Sequence, residues 1–175
     1  MLLVPPRPRR VAATVRLLND PRVQRGTLRL PFPYTEKDAR AWMHRAERER
    51  KAGQSLGLQI VRRSDGELLG GVGVYQLEES AGRAEVGYWL GHEHWGQGYA
   101  TEAVNLLVRV AFARLGIHRV EARVYPWNGA SCRVVRRCGF RYEGRLRDEV
   151  RKNGRWLSTL LFSRLATDPP VPRGR

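Results

Sequence analysis

The sequence predicts one α/β domain with a mixed sheet and helices on the faces of that sheet. The chain has 175 residues, about the size of one domain. Hydrophobic residues make up 42% of it, which is enough for a folded core. Apolar residues recur with a helical period in some segments and alternate in others, in the order α-α-β-β-β-α-β-α-β-β.

Two helices are predicted before the sheet. The first covers residues 9–19 and ends at Asp20-Pro21, because proline disfavours continuation of a helix. The second begins at Thr35, which forms a predicted capping box with Asp38, and it extends to about residue 53. A very short strand at residues 2–4 is expected to form an abbreviated first edge of the sheet.

Alternating patterns predict strands at 56–63 and 68–76, joined by a short turn, and a third strand at 83–90. In the third strand Ala84, Val86, Tyr88 and Leu90 share one face, and Arg83, Glu85, Gly87 and Trp89 share the other. A long amphipathic helix from about Ala100 to Leu115 follows, terminated by Gly116. The remaining elements are a strand at 118–125, a helix at 128–138, and strands at 140–147 and 156–165.

The charge and the ends of the chain limit its location and partners. The formal charge of +15 predicts an anionic partner, unless it reflects only a basic, solvated surface. Nucleic acid, an anionic membrane surface, a phosphorylated cofactor and an RNA-rich assembly would all satisfy the charge alone. No apolar run is long enough for a membrane span or a signal peptide, so we expect a cytoplasmic protein without a membrane partner. A domain over residues 1–166 and a flexible tail over 167–175 are expected, and Cys132 and Cys138 are expected to stay reduced.

The segment from Trp95 to Thr101 is the most informative part of the chain. It leaves a strand and enters a helix, and its glycines allow a large anion to approach backbone amides at the helix start. It lacks the Gly-Lys-Ser/Thr of a P-loop and the third glycine of a dinucleotide fingerprint. A tight connection without a ligand is the alternative interpretation.

A second feature lies about thirty residues further on. Asn128 can cap the short helix, which places Ser131 on the first helical turn. A capping residue and a terminating glycine occur in many helices, so this feature alone does not indicate a function.

Together, the two features and their surroundings resemble the GNAT acetyltransferase family. The chain is most similar to the RimJ/RimL branch, which acetylates the amino termini of ribosomal proteins. The resemblance covers nearly the whole chain and depends on Glu-Val-Gly-Tyr-Trp-Leu at 85–90, Trp-Gly-Gln-Gly-Tyr-Ala-Thr-Glu-Ala at 95–103, Asn-x-x-Ser at 128–131, Gly-Phe at 139–140, Glu-Gly at 143–144, Asn-Asp-Pro at 19–21 and Tyr-Thr-x-x-Asp-Ala at 34–39. The first phosphate-loop position departs from the general family signature, because it is Trp95 rather than Gln or Arg.

The resemblance implies a mostly antiparallel, twisted sheet of six to seven strands, acetyl-CoA as co-substrate and no metal. It implies a pyrophosphate site on the amides from Gly96 to Thr101 and a pantetheine arm beside the end of the third strand. The residues implied to bind the cofactor are Trp89, Leu90, Gly96, Gln97, Gly98, Tyr99, Ala100, Thr101 and Asn128. Relatives are often dimers, so a homodimer is compatible with it.

Catalytic roles also follow from the resemblance. Many family members use a tyrosine to protonate the departing thiolate, and that position is Val135 here. The RimJ/RimL branch instead has a serine three residues after the asparagine, and Ser131 matches it, so the resemblance implies that Ser131 protonates the thiolate. Glu85 is the first candidate for the base that takes the proton of the amine, with Asp148 and Glu149 as rivals. Each of these acids could instead be a surface partner of the abundant arginines. Acetyl would pass directly to the amine, without an acyl-enzyme.

Several further side chains have both a functional and a structural interpretation. One of Arg133, Arg136 and Arg137 could meet the 3′-phosphate of the cofactor, or all three could form a solvated face. The aromatic residues Tyr34, Trp42 and Trp127 could line the acceptor pocket or pack in the core. His92 and His94 have no cysteine or carboxylate partner at metal-binding sequence spacing, so they are interpreted as loop histidines.

Three functions remain open from the sequence. The first is acetylation of the amino-terminal amine of a ribosomal or other protein, with ribosome association favoured by the basic charge. The second is acetylation of a small amine such as a polyamine or aminoglycoside. The third is a non-catalytic module that binds CoA or RNA on the same scaffold.

Overall fold

A computed structural model describes residues 1–78 and 81–171 of the chain. The strands are β1 (Leu2–Val4), β2 (Leu56–Val61), β3 (Leu68–Glu78), β4 (Arg83–Leu90), β5 (Arg119–Val124), β6 (Arg141–Lys152) and β7 (Arg155–Leu165). They form one seven-stranded sheet in the order β1-β2-β3-β4-β5-β7-β6. The predicted α/β class is confirmed, including the short first edge at β1.

Strand pairing opens a wedge in the middle of this sheet. All neighbouring strands are antiparallel except β4 and β5, whose parallel pairing stops at Glu85 opposite Glu121. Beyond that point β4 stays paired with β3 as far as Leu90, and β5 stays paired with β7 as far as Val124. The two strands therefore diverge, and the facing edges of their carboxyl-terminal halves are not paired with each other.

In the described part of the chain, five α-helices cover the two faces of the sheet: α1 (Val11–Leu18), α2 (Pro21–Gly26), α3 (Glu36–Lys51), α4 (Tyr99–Arg114) and α5 (Gly129–Arg137). The largest core cluster joins α4 and α5 to sheet residues that include Val72, Val86 and Val120. A second cluster under α1 and α3 includes Leu18 and Met43, with Trp89 packed against it. Neighbouring residues of β4 belong to different clusters, and neighbouring side chains of a strand point to opposite faces of its sheet. Helices α4 and α5 therefore lie on one face of the sheet, and α1 and α3 lie on the other.

Local sequence signals account for the starts of the helices. Thr35 Oγ1 accepts a hydrogen bond from the Asp38 amide at 3.2 Å, and Asp38 Oδ2 accepts one from the Thr35 amide at 2.8 Å. The predicted capping box is thus confirmed. Helix α2 was not expected: Asp20-Pro21 ends α1 but also starts α2, with Asp20 as the N-cap that accepts from the Arg22 amide at 2.8 Å.

The carboxyl-terminal part differs from expectation in one strand end. β6 extends five residues beyond the predicted end, to Lys152, because an irregularity between Leu146 and Val150 lets the strand continue past Asp148, which has a φ of 49°. After β7, the Asp168 carboxylate accepts a hydrogen bond from the Leu165 amide at 2.8 Å. Residues 172–175 lie outside the described part of the chain, so the domain and tail boundary stays a prediction. Among the helices of the described residues, none combines the length and apolarity needed to cross a membrane.

Candidate functional site

The loop between β4 and α4 contains two glycines with a left-handed backbone conformation and leads directly into a helix. Gly96 and Gly98 have φ values of 76° and 83°, in the left-handed region that favours glycine. Residues from Trp95 to Gly98 are exposed, and α4 starts directly after them at Tyr99. The first amides of a helix have no partner within the helix and carry the positive end of its dipole. These features are compatible with an anion site, and the binding of a pyrophosphate by this loop stays a prediction.

Side chains hold this loop against the strand that precedes it. The Trp95 indole Nε1 donates to the Leu90 carbonyl at 2.9 Å, and Gln97 Nε2 donates to the Glu93 carbonyl at 3.2 Å. Trp95, which departs from the general family signature, thus ties the loop to the end of β4.

A groove of about 440 Å³ leads from this loop to the start of α5. The predicted cofactor residues that line it are Trp89, Leu90, Gly96, Ala100 and Asn128. The others, Gln97, Gly98, Tyr99 and Thr101, lie in the loop and the first turn of α4. Arg133, Arg136 and Arg137 are exposed on α5, and the Arg136 guanidinium carbon lies 5.6 Å from the centre of the Phe162 ring.

A second cavity of about 710 Å³ opens from the other side of the wedge. Tyr34 and Trp42 line it, as the sequence allowed. Trp127 does not; it lines the groove, where its ring stacks on Tyr125 at 4.4 Å. The groove and the second cavity share the residues Gly26, Thr27, Tyr88, Trp89, Asn128 and Ser131. Two ligands that enter from opposite sides would therefore meet at the wedge.

Ser131 lies at this meeting point because of how α5 begins. Asn128 Oδ1 accepts from the Ser131 amide at 3.1 Å, which confirms Asn128 as the cap of α5. The Ser131 hydroxyl oxygen lies 2.7 Å from the hydroxyl oxygen of Tyr88 on β4. Sequence reasoning placed Tyr88 only on the same face of its strand as Ala84, Val86 and Leu90. Its hydroxyl was the missed signal, because a largely buried tyrosine usually finds a hydrogen-bond partner.

Glu85 is buried and lines the second cavity. Its Oε2 accepts from Arg29 Nη2 at 3.3 Å and from Arg123 Nη1 at 2.9 Å. Of its two rivals, Asp148 is exposed on β6, and Glu149 accepts from Arg123 Nε at 2.8 Å and is also hydrogen-bonded to Thr159. Among the predicted base candidates, Glu85 alone is a lining residue of this cavity.

No carboxylate partner at metal-binding spacing was expected for the loop histidines, but the fold brings two carboxylates close to one of them. In the fold, Glu67 and Glu93 lie close to buried His94, whose Nε2 is 3.7 Å and 3.6 Å from their nearest oxygens. Each carboxylate is already paired with an arginine, Glu67 with Arg62 and Glu93 with Arg16. These arginines would compete with a cation for the carboxylate oxygens. His92 instead packs against Trp95, with ring centres 4.9 Å apart.

Both cysteines are free and buried, and we expect neither to take part in catalysis. Burial raises the pKa of Cys138 to about 12 and also raises the pKa of Cys132, so both thiols stay protonated at neutral pH. Iodoacetamide should therefore label the native protein much more slowly than the unfolded protein, as followed by mass spectrometry. Cys132→Ala should keep kcat within about twofold of the wild type. Fast labelling of Cys132 with parallel loss of activity would contradict this expectation.

Comparison with known proteins agrees with this geometry. The family described as "Acetyltransferase (GNAT) domain" matches residues 1–141. An uncharacterized N-acetyltransferase p20 of Bacillus licheniformis is 38% identical over 113 residues, 65% of this chain and 64% of that protein. A putative ribosomal N-acetyltransferase YdaF of Bacillus subtilis is 35% identical over 101 residues, 58% of this chain and 55% of that protein. The match thus covers less than two thirds of the length of these relatives.

Solved structures extend the likeness over almost the whole chain. A Mycobacterium smegmatis RimJ in complex with a CoA disulfide has a TM-score of 0.84 and 26% identity over 94% of this chain and 81% of that one. A mutant of the spermidine N-acetyltransferase SpeG from Vibrio cholerae has a TM-score of 0.76 and 19% identity over 95% and 96% of the two chains, which shows the fold alone. With the family match over residues 1–141, the wedge between β4 and β5 and the glycine loop before α4, the chain belongs to the GNAT acetyltransferase family.

Proposed function

We propose that this protein transfers the acetyl group of acetyl-CoA directly to the amino-terminal amine of a ribosomal or other protein. The observation that carries the proposal is the meeting of the groove and the second cavity at Tyr88, Trp89, Asn128 and Ser131. Acetyl-CoA would occupy the groove, with its pyrophosphate on the loop from Gly96 to Thr101. The acceptor would occupy the second cavity, here named the acceptor cavity.

Backbone amides of β4 and the side chain of Asn128 would bind the cofactor. The strand edge of β4 beyond Glu85 is not paired with β5, so its amides can align the pantetheine arm and polarise the thioester carbonyl. Asn128 uses its Oδ1 on the Ser131 amide, which leaves its Nδ2 to donate to the pantetheine arm.

In the chemical step, the neutral amine nitrogen forms a bond to the acetyl carbon, and the carbon–sulfur bond breaks with its electron pair on sulfur. Ser131 donates its hydroxyl proton to the thiolate, and a solvent proton replaces it. The nitrogen loses one proton to Glu85, directly or through water. Both hydrogen bonds that the described residues give Glu85 end on Oε2, which leaves Oε1 to take this proton.

The charges of the acceptor cavity favour a peptide terminus over a polyamine. Its ionisable lining includes Arg29, Arg45 and Arg123 but only two glutamates, Glu49 and Glu85. Glu85 accepts hydrogen bonds from Arg29 and Arg123, and Glu49 Oε1 lies 3.7 Å from Arg45 Nε. A polyamine would bring several positive charges to a cavity whose carboxylates already have counter-charges. The name of the YdaF relative points to ribosomal proteins. The basic charge of the whole chain favours an RNA-rich assembly as the place where such an acceptor is met.

A panel of acceptors tests the proposal. Release of CoA thiol from acetyl-CoA should occur with peptides that carry free amino termini and should be absent with the same peptides acetylated in advance. Spermidine and an aminoglycoside should be poor acceptors, because the cavity offers no unpaired carboxylate to their charges. Turnover on the small amines alone would make the protein a small-molecule acetyltransferase. Tight CoA binding without turnover on any acceptor would make it a non-catalytic module.

A further inference from the structure

The Tyr88 hydroxyl makes two polar contacts with Ser131 at the start of α5. Its hydroxyl oxygen lies 2.7 Å from Ser131 Oγ and 3.3 Å from the Ser131 carbonyl oxygen. Tyr88 lines both the groove and the acceptor cavity.

The course of the sheet explains why this contact forms. Tyr88 lies on β4 beyond Glu85, where pairing with β5 has ended, so its ring extends over the open wedge toward the first turn of α5. Asn128 holds the backbone amide of Ser131 from one side, and Tyr88 meets its hydroxyl from the other. Ser131 is therefore restrained at both its backbone and its side chain.

The direction of the hydrogen bond decides what Ser131 can do. A serine in a helix commonly donates its single proton to a carbonyl one turn earlier, which would remove that proton from any ligand. If Tyr88 donates to Ser131 Oγ, the serine oxygen is the acceptor of this hydrogen bond. The proton of the serine hydroxyl then remains available for a ligand. The shorter of the two contacts of Tyr88 favours this arrangement, since the carbonyl of a residue in the first helical turn already accepts from the amide four residues later.

The chemistry of the two hydroxyls favours the same direction. A phenol is a more acidic donor than an aliphatic alcohol, and a hydrogen bond received by Ser131 Oγ strengthens the donor ability of its own O–H. Burial raises the pKa of Tyr88, so the phenol keeps its proton throughout the neutral range.

We propose that Tyr88 is a positioning residue that donates to Ser131 Oγ and thereby directs the Ser131 proton to the sulfur of the cofactor. The inference rests on the proposed acetyl transfer and names a further residue of the same site. In the step itself, Ser131 gives its proton to the thiolate and regains one from solvent, and Tyr88 ends with the proton it began with.

A double-mutant cycle with Tyr88→Phe and Ser131→Ala tests this role. Tyr88→Phe removes one hydroxyl and should lower kcat roughly tenfold, with the KM for acetyl-CoA within about twofold. In the Ser131→Ala background, Tyr88→Phe should have no further effect on kcat. Tyr142→Phe, at an exposed position of β6, is the matched control and should leave kcat unchanged. An unchanged kcat in Tyr88→Phe, or the same loss in both backgrounds, would overturn the role.

A second measurement does not depend on the acceptor. The ionisation of the thiol in bound CoA can be followed by the ultraviolet absorbance of the thiolate. A donor directed at sulfur stabilises the thiolate, so Tyr88→Phe and Ser131→Ala should both raise the pKa of the bound thiol. If no acceptor is turned over but this shift is seen, the proposed function fails and the Tyr88 role stands. If CoA binds and neither variant changes the thiol, the Tyr88 role is wrong.

Discussion

Gly98→Asp is expected to reduce the affinity for CoA by about 100-fold, or ~2.7 kcal/mol. Gly98 is the N-cap of α4 and has a φ of 83°, so its backbone forms part of the surface that the pyrophosphate would approach. An aspartate there places a carboxylate next to the pyrophosphate and a side chain where the anion would sit. Titration calorimetry with CoA measures the change.

Gly116→Asp is the matched control for this variant. Gly116 follows the other end of α4 with a φ of 64°, and neither glycine has a heavy atom within 4 Å of an added Cβ. Both variants should therefore lose about 1 kcal/mol of stability to the left-handed conformation. Only Gly98→Asp should lose CoA affinity. Equal affinities in the two variants would show that the loop does not bind the pyrophosphate.

Ser131→Ala is expected to lower kcat by about 100-fold, because the departing thiolate would lose its proton donor. The KM for acetyl-CoA should stay within about twofold, since the bond from the Ser131 amide to Asn128 Oδ1 uses the backbone and survives the substitution. Steady-state kinetics with the best peptide of the acceptor panel gives both values.

Two companion variants make the Ser131 result interpretable. Ser131→Thr keeps a hydroxyl and should recover part of the lost rate. Ser64→Ala, in the exposed turn between β2 and β3, should behave like the wild type. If kcat does not fall in Ser131→Ala, the serine is not the proton donor. If CoA affinity falls together with kcat, its hydroxyl serves binding instead.

The sequence predicted most of the fold because its signals are local. The capping box of Thr35 and Asp38, the alternation in β4 and the glycine that ends α4 each act within a few residues. Helix α2 was missed although its signal is local too, since Asp20-Pro21 was interpreted only as the end of a helix. The candidate cofactor residues from Gly96 to Thr101 could be named because they form one continuous segment at the start of α4.

The rest of the site depends on contacts between residues distant in sequence. The hydrogen bonds from Arg29 and Arg123 to Glu85, and the proximity of Glu67 to His94, follow no spacing rule. The point where β4 and β5 separate was likewise visible only once their register was known.

The sequence by itself thus determined most of the elements, their order and the glycine-containing loop before α4. The tertiary structure decided which side chains meet. It brought Tyr88 to Ser131, and it placed arginines beside the two carboxylates that line the acceptor cavity. The physical reason is that helix caps and strand alternation arise from backbone geometry over a few residues, whereas a site is assembled by packing. Packing depends on the register and separation of strands that a single segment does not encode.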